Sequence, residues 1–246
     1  MPIRTYRAFQ ALILAGLGFF LLSKVWSGTV LFYINRRFVL LVLLGGLGLL
    51  ALAQVVLNSR RPVSGEDREL EPESTHSGFS GWTLFWVALP ILLGILIPAR
   101  PLGADALPQR GFGAPLSARD RGQGVVLPAD SSRWDILDWV QSVEDPALSA
   151  GLTGKPADII GFVYHDPRLA DGQFLAARYT LTCCVADAFA IGIAVEWDRG
   201  QPLADNTWVH IQGPVDIIEI DGQPMARIQA SSIEEIPIPD QPYIIP

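Results

Sequence analysis

Cysteine and histidine are scarce in this chain. The two cysteines, Cys183 and Cys184, are adjacent, and the three histidines, His76, His165 and His210, are scattered. Adjacent cysteines cannot build a disulfide framework. The histidines fit neither a zinc-finger spacing nor the His-Glu-x-x-His helix motif. No nucleophile elbow, Walker loop, glycine-rich dinucleotide fingerprint or paired-carboxylate pattern occurs. Gly151-Leu152-Thr153-Gly154-Lys155 lacks the spacing of a phosphate loop and reads as a turn entering a strand. No catalytic set is recognisable, so the expectation is a protein that is not an enzyme and has no certain cofactor.

Charge is also sparse, at 17% of residues against about 25% in a typical soluble protein. It is unevenly spread. Residues 1–130 are net +4 and residues 131–246 are net −11, together the −7 of the whole chain. Two solvents are implied, one for each half. An acidic domain lacks the Lys/Arg needed to displace counterions from nucleic acid, which excludes DNA and RNA as expected partners.

Long apolar runs are plentiful. Three segments, about 8–26, 38–57 and 79–97, reach or approach the roughly 20 residues that cross a bilayer core. Residues 1–98 therefore read as a transmembrane region in contact with lipid, making this a multi-pass protein of the plasma membrane. Trp26, Tyr33, Trp82 and Trp86 lie near segment ends, where amphipathic rings prefer the interface. Gly45-Gly46-x-Gly48 is a small-residue patch suited to close helix packing, within the chain or against a partner. Pro90 sits inside the third segment and is expected to kink it. No segment carries an acidic residue or histidine in its core, and ion and proton pathways normally need one. Three such helices make a poor pore on their own.

The loop at 58–78 is polar, and residues 99–130 form a Gly/Pro/Ala-rich linker. Counting Lys and Arg on the two sides hardly discriminates orientation. Arg60-Arg61 followed by an apolar run and small residues resembles an export signal in layout, which places the C-terminal domain outside the cytoplasm.

Residues 131–246 read as a soluble β-rich domain. A short amphipathic helix is predicted over 132–143, with Trp134, Leu137 and Val140 as its apolar stripe. Strands are predicted at 157–164, 174–183, 189–197, 208–220 and 225–233, with Asp221-Gly222 as a hairpin turn. The expected fold class is thus membrane α-helical followed by an all-β domain, an OB-like barrel preceded by a short helix.

The one segment with distinctive chemistry is Thr182-Cys183-Cys184-Val185-Ala186-Asp187. Two thiolates and a carboxylate suit a transition metal such as zinc or copper. On a straight strand neighbouring side chains point to opposite faces, so the two sulfurs converge only if the chain bends. A vicinal disulfide would be strained, because adjacent Cα atoms lie ~3.8 Å apart, below the usual disulfide range. The two residues also suit a core as small apolar side chains. These readings stay open together. His165, at the turn His165-Asp166-Pro167, would complete a ligand set if the fold brought it to Cys184.

Taken with Gly161-Phe162-Val163-Tyr164-His165-Asp166, Arg178-Tyr179 and Trp208-Val209 … Gly213, the string Cys183-Cys184-Val185-Ala186-Asp187-Ala188 resembles the YcgQ-like family of bacterial membrane proteins. That family is described as permease subunits of unknown function, and the resemblance covers most of the chain. It implies a partner, a multi-helix permease encoded nearby. That family pattern often has Arg where this chain has His165, leaving Cys183, Cys184 and Asp187 as the positions carried over. The expected function is an accessory subunit of a two-part permease, its outer domain receiving or gating a solute such as a metal ion. The alternative is a membrane-anchored metal- or redox-sensing module acting through the cysteine pair.

Overall fold

The computed structural model describes residues 3–58, 81–110, 127–197 and 202–245. The chain divides into two units: Met1–Val30 with Arg36–Arg100, and Leu31–Asn35 with Pro101–Pro246.

In the first unit, two helical segments are long and apolar enough to cross a membrane: Arg7–Trp26, 20 residues of α1 (Ile3–Trp26), and Arg36–Asn58, 23 residues made of a 3-10 turn and α2 (Val39–Asn58). Leu41, Leu44 and Val55 of α2 are more than half exposed. A helix apolar all round is stable when lipid, not water, covers that surface. The two helices approach closely because small residues face each other. A Cβ on Gly18 would lie 2.9 Å from the Gly46 carbonyl oxygen, and one on Gly46 would lie 3.1 Å from the Leu22 side chain. Buried Ala11 precedes Gly18 by one heptad, and buried Ala53 follows Gly46 by one, the repeat of a single packed face. Gly46 of the small-residue patch is thus spent inside the chain. Among the described residues, nothing lies within 4 Å of a Cβ placed on Gly45 or Gly48.

The third helix, α3 (Gly81–Leu96), has 16 residues and contains Pro90. At 1.5 Å per residue this is about 24 Å, short of the ~30 Å hydrocarbon core. Two of the three expected segments are thus of spanning length among the described residues. The start of the expected third segment, and the polar loop before it, lie outside them. Gly94 packs on Phe20 of α1, closely enough that a Cβ there would sit 2.5 Å from the ring.

The second unit begins with a short helix, α4 (Leu107–Arg110). Residues expected to be linker are bound into it: Ala104 N–H donates to Asn206 Oδ1 at 2.6 Å, and Leu102 N–H donates to the Tyr243 hydroxyl at 2.9 Å. Residues 111–126 of that linker lie outside the described residues. Next, a 3-10 turn at Ser131–Arg133 leads to α5 (Ile136–Glu144). The predicted helix starts four residues too early, and the reason is local. Asp135 accepts from Asp138 N–H at 3.0 Å and Asp138 accepts from Asp135 N–H at 3.1 Å. This reciprocal pair fixes Asp135 as the cap and leaves Trp134 extended. A further short helix, α6 (Pro146–Ser149), is capped by Asp145.

Seven strands follow: β1 (Pro156–Tyr164), β2 (Gln173–Thr180), β3 (Phe189–Glu196), β4 (Trp208–Ile220), β5 (Gln223–Gln229), β6 (Ser232–Glu235) and β7 (Tyr243–Ile244). They form one mixed sheet along the path β1-β2-β3-β5-β4-β6, with β7 beside β2. The β3–β5 and β2–β7 pairs are parallel. β1 is shared: Pro156–Phe162 pair with β4, and only Phe162–Tyr164 pair with β2. The expected all-β domain is this one mixed sheet, which is not a closed barrel. Asp221 and Gly222 both have positive φ, 52° and 76°, as a type I′ hairpin between β4 and β5 requires. Where β4 leaves β1 for β5 it passes so close to the chain at Gln229 that a Cβ on Gly213 would lie 2.2 Å from the Gln229 carbonyl oxygen. No larger residue fits this crossing.

The core lies between α5 and the sheet. Ile136, Leu137, Trp139 and Val143 are buried against Ile159, Ile193, Ile211 and Ile228. A second cluster gathers Phe162, Tyr179, Leu181, Ala188, Trp208 and Tyr243. It includes Phe162 stacked on Tyr179 with ring centres 5.8 Å apart. This cluster supports the end of β2, from which the cysteine segment emerges.

Candidate functional site

β2 was expected to run to Cys183, but it ends at Thr180. Leu181 remains buried and its N–H donates to the Ile244 carbonyl at 2.9 Å. The chain then turns through Val185–Asp187 into β3. Asp187 organises this turn. Its carboxylate accepts backbone N–H groups from Thr182 (3.3 Å), Cys183 (2.7 Å) and Cys184 (3.3 Å). Burial raises the Asp187 pKa, but hydrogen bonds from the Cys183 thiol and these backbone groups outweigh it, and the carboxyl ends below its ordinary range.

A second grip comes from a distant part of the sequence. Leu31–Asn35, which lies between α1 and α2 along the chain, folds as part of this unit. Ile34 bridges Cys184 in antiparallel fashion. Asn35 N–H donates to the Cys183 carbonyl at 3.0 Å, and Val185 N–H donates to the Tyr33 carbonyl at 2.9 Å. The Asn35 side chain is 1% exposed, and its amide donates to the carbonyls of Leu181 (3.3 Å) and Thr182 (2.9 Å). The Tyr243 hydroxyl donates to the Phe32 carbonyl at 2.9 Å. These contacts were invisible in the sequence, where residues 31–35 looked like an interfacial end of a membrane segment.

The bend brings the sulfurs together. Cys183 is exposed, Cys184 is half-buried, both are free thiols, and their Sγ atoms are 3.6 Å apart. The Asp187 carboxylate beside Cys183, and then the neighbouring Cys184, push the Cys183 thiol up to about 11. Replacing Asp187 with Asn is expected to return Cys183 toward the ordinary value of about 8.5. Alkylation of the Cys184→Ser background across pH 7–12 checks this, because only the thiolate reacts. An unchanged profile would contradict the role given to Asp187.

The expected metal ligands are only partly assembled. Cys183, Cys184 and Asp187 share one turn, but the carboxylate is occupied by the backbone. His165 bonds Asp205 through Nδ1 at 2.7 Å. Among the described residues, no three His, Cys, Asp or Glu side chains form a group able to hold a metal ion. Two sulfurs are what the site offers. His210 pairs with Asp158 on the sheet surface, and Gln212 donates to the same carboxylate at 2.8 Å. Arg178 donates from its Nε and from one terminal nitrogen to the carbonyls of Pro242 and Gln241, at 3.2 and 2.5 Å, which ties β7 to β2.

Comparison with known proteins places both halves. Residues 9–113 match the DUF1980 N-terminal domain and residues 138–246 match the DUF1980 C-terminal domain. The chain belongs to the DUF1980 family. The UPF0703 protein YcgQ of Bacillus subtilis is 22% identical to this DUF1980 chain over 96% of it and 98% of that protein. A Streptococcus mutans protein, provisionally named a two-component membrane permease complex subunit, is 24% identical over 64% of the chain and 71% of its own length. The C-terminal match contains the whole Cys183–Asp187 turn. Residues 31–35, which grip that turn, lie within the N-terminal match. The two DUF1980 domains of sequence are therefore not the two folded units of structure.

Proposed function

We propose that this chain is the accessory subunit of a two-part membrane permease. Its helices anchor it and dock on a multi-helix partner, and its acidic β-domain stands outside the cytoplasm to receive or gate the solute. No chemical step belongs to this role. The observation that carries it is the name of the Streptococcus mutans relative, a permease complex subunit. The spanning helices support it, since they hold no acidic residue or histidine and so offer no ion path of their own. Gly45 and Gly48 support it too, because among the described residues they leave space on α2 where a partner helix can approach.

Membrane sidedness follows from the same reading. Leu31–Asn35 belongs to the β-domain, so the first interhelical connection and the domain share one face of the membrane. Two crossings would leave them on opposite faces. The α3 segment therefore makes a third crossing. The curled sheet, with β1 paired to both β2 and β4 and β3 parallel to β5, fits a partly open OB-type barrel.

Co-purification tests the role. Tagged chain, extracted in mild detergent from cells that also express the permease, is expected to carry it. Gly48→Leu is expected to lower the recovered partner severalfold without changing the yield of the chain. A wild-type chain that runs alone contradicts the proposal.

A second reading rests on one observation, the convergence of Cys183 and Cys184 in an accessible turn. In it the domain is a metal- or redox-responsive module, with zinc or copper bound through the two sulfurs. Metal content of the full chain, with and without Cys184→Ser, separates the cases. Equal and negligible metal in both excludes the metal form.

A further inference from the structure

The peptide unit between Cys183 and Cys184 is held at both ends. Its carbonyl oxygen accepts Asn35 N–H at 3.0 Å, and its N–H donates to Asp187 Oδ1 at 3.3 Å. The first bond belongs to the bridge that keeps Leu31–Asn35 on the domain, and Val185 N–H to Tyr33 O, at 2.9 Å, is its partner. The two sulfurs flanking this peptide are 3.6 Å apart. A disulfide needs them at about 2.05 Å. Adjacent Cα atoms, fixed ~3.8 Å apart, cannot separate to the usual disulfide span. Closure must therefore come from rotating and twisting the peptide unit itself, which pulls its oxygen from Asn35 and its N–H from Asp187.

We propose that Cys183 and Cys184 are a redox-modification site, closing to a vicinal disulfide by exchange with a small-molecule or protein disulfide, and that closure releases Leu31–Asn35 from the β-domain. It rests on the redox form of the second functional reading and needs no metal. The Cys184 thiolate attacks one sulfur of the oxidant, forming a mixed disulfide and expelling one thiolate, which takes up a proton. The Cys183 thiol gives up its proton to solvent, and its sulfur attacks Cys184 Sγ. The second oxidant thiolate leaves and is protonated in turn. Two cysteine thiols are oxidised and one disulfide is reduced to two thiols. Strain makes the product easily reduced, so the site responds reversibly. The segment it releases joins α1 to α2 along the chain.

The experiment uses the full chain in detergent micelles, pre-treated with chelator and then exposed to oxidised glutathione. Intact mass and alkylation report the thiols, and hydrogen exchange reports the amides of Asn35 and Val185. The expected product is two hydrogens lighter than the reduced chain, has no alkylatable cysteine and returns to the start with dithiothreitol. Exchange at the two amides is expected to accelerate about tenfold or more in the oxidised chain, as a local opening does. Cys183→Ser is expected to give neither the closed product nor the acceleration. Four outcomes would overturn the proposal: a reaction that stops at a glutathione adduct, a disulfide-linked dimer, a closed disulfide with unchanged exchange, or acceleration in Cys183→Ser. Metal retained by the untreated chain, alongside any of these four, would leave the metal form of the second reading standing.

Discussion

Trp139→Ala is expected to destabilise the β-domain by about 3–5 kcal/mol, the range for deleting a fully buried large aromatic. Trp139 is 0% exposed at the centre of α5, and its ring lies 4.7 Å, centre to centre, from that of Trp134. Truncation leaves a cavity beneath the sheet, among β-branched side chains that cannot collapse to fill it. Trp139→Phe is expected to cost far less, roughly 1.5 kcal/mol or below. Among the described residues, Trp139 Nε1 is a buried donor with no hydrogen-bond partner. Phe keeps much of the ring contact and removes a donor whose desolvation is uncompensated. Urea denaturation of the full chain in detergent, followed by hydrogen exchange of the sheet amides, measures both. Equal losses for Ala and Phe would contradict this account of the core.

The second large effect is at Asn35. Asn35→Asp replaces a buried donor facing two carbonyl oxygens with a carboxylate of nearly the same shape. At 1% exposure the charge is cut off from water and set against two carbonyl oxygens, and the expected cost at neutral pH is about 3–5 kcal/mol. Asn35→Ala loses the hydrogen bonds without adding charge and is expected to cost about 1–3 kcal/mol. The pH dependence separates these causes. Carbonyl oxygens and burial raise the folded-state pKa of the introduced carboxyl above its unfolded value of about 3.9. The folded variant then binds its proton more tightly than the unfolded chain does. Its penalty is small below the unfolded pKa and grows as pH rises toward the folded pKa, where it levels off. Stability of Asn35→Asp should therefore fall between about pH 4 and pH 7.5 relative to Asn35→Ala. A flat difference would show that Asn35 is not enclosed by those carbonyls.

Much of the fold is legible in the sequence because its signals are local. Uncharged apolar runs identify α1 and α2. Alternation and the Asp221-Gly222 turn identify β1, β3 and the β4–β5 hairpin to within a residue or two. The misses share a cause, which is that tertiary contacts settle them. β2 looks continuous to Cys183, but Asp187 reaches back to three backbone N–H groups and ends it at Thr180. The run from Met225 to Ile233 reads as one strand, yet the crossing at Gly213 divides it into β5 and β6. β7 has two residues and no pattern of its own. Its place is fixed by Arg178 holding the carbonyls of Gln241 and Pro242.

The site was half legible. Cys183-Cys184-Val185-Ala186-Asp187 stands out by composition, and the bend that joins the sulfurs was a stated condition for their convergence. Asn35 was not found. An isolated asparagine beside Arg36-Arg37 at a helix start carries the signature of a membrane interface, and nothing local marks it as a clamp on residues 146 positions away. The one available signal was Tyr33-Ile34-Asn35 itself, a short polar-capped stretch between two apolar segments that is too irregular to be helix. His165 was proposed for its residue type and its neighbouring turn, and it belongs instead to Asp205.

Side-specific thiol labelling tests the central claim, that the β-domain and the first interhelical connection form one folded unit on the outer face, carried there by three crossings. In intact cells an impermeant maleimide should label the native cysteine pair through Cys184. In cysteine-free backgrounds it should also label Ser27→Cys, while Thr5→Cys reacts only after permeabilisation. Labelling of Ser27→Cys with the native pair protected, or the reverse, would contradict the three crossings. Protection of both until lysis would contradict the outer placement.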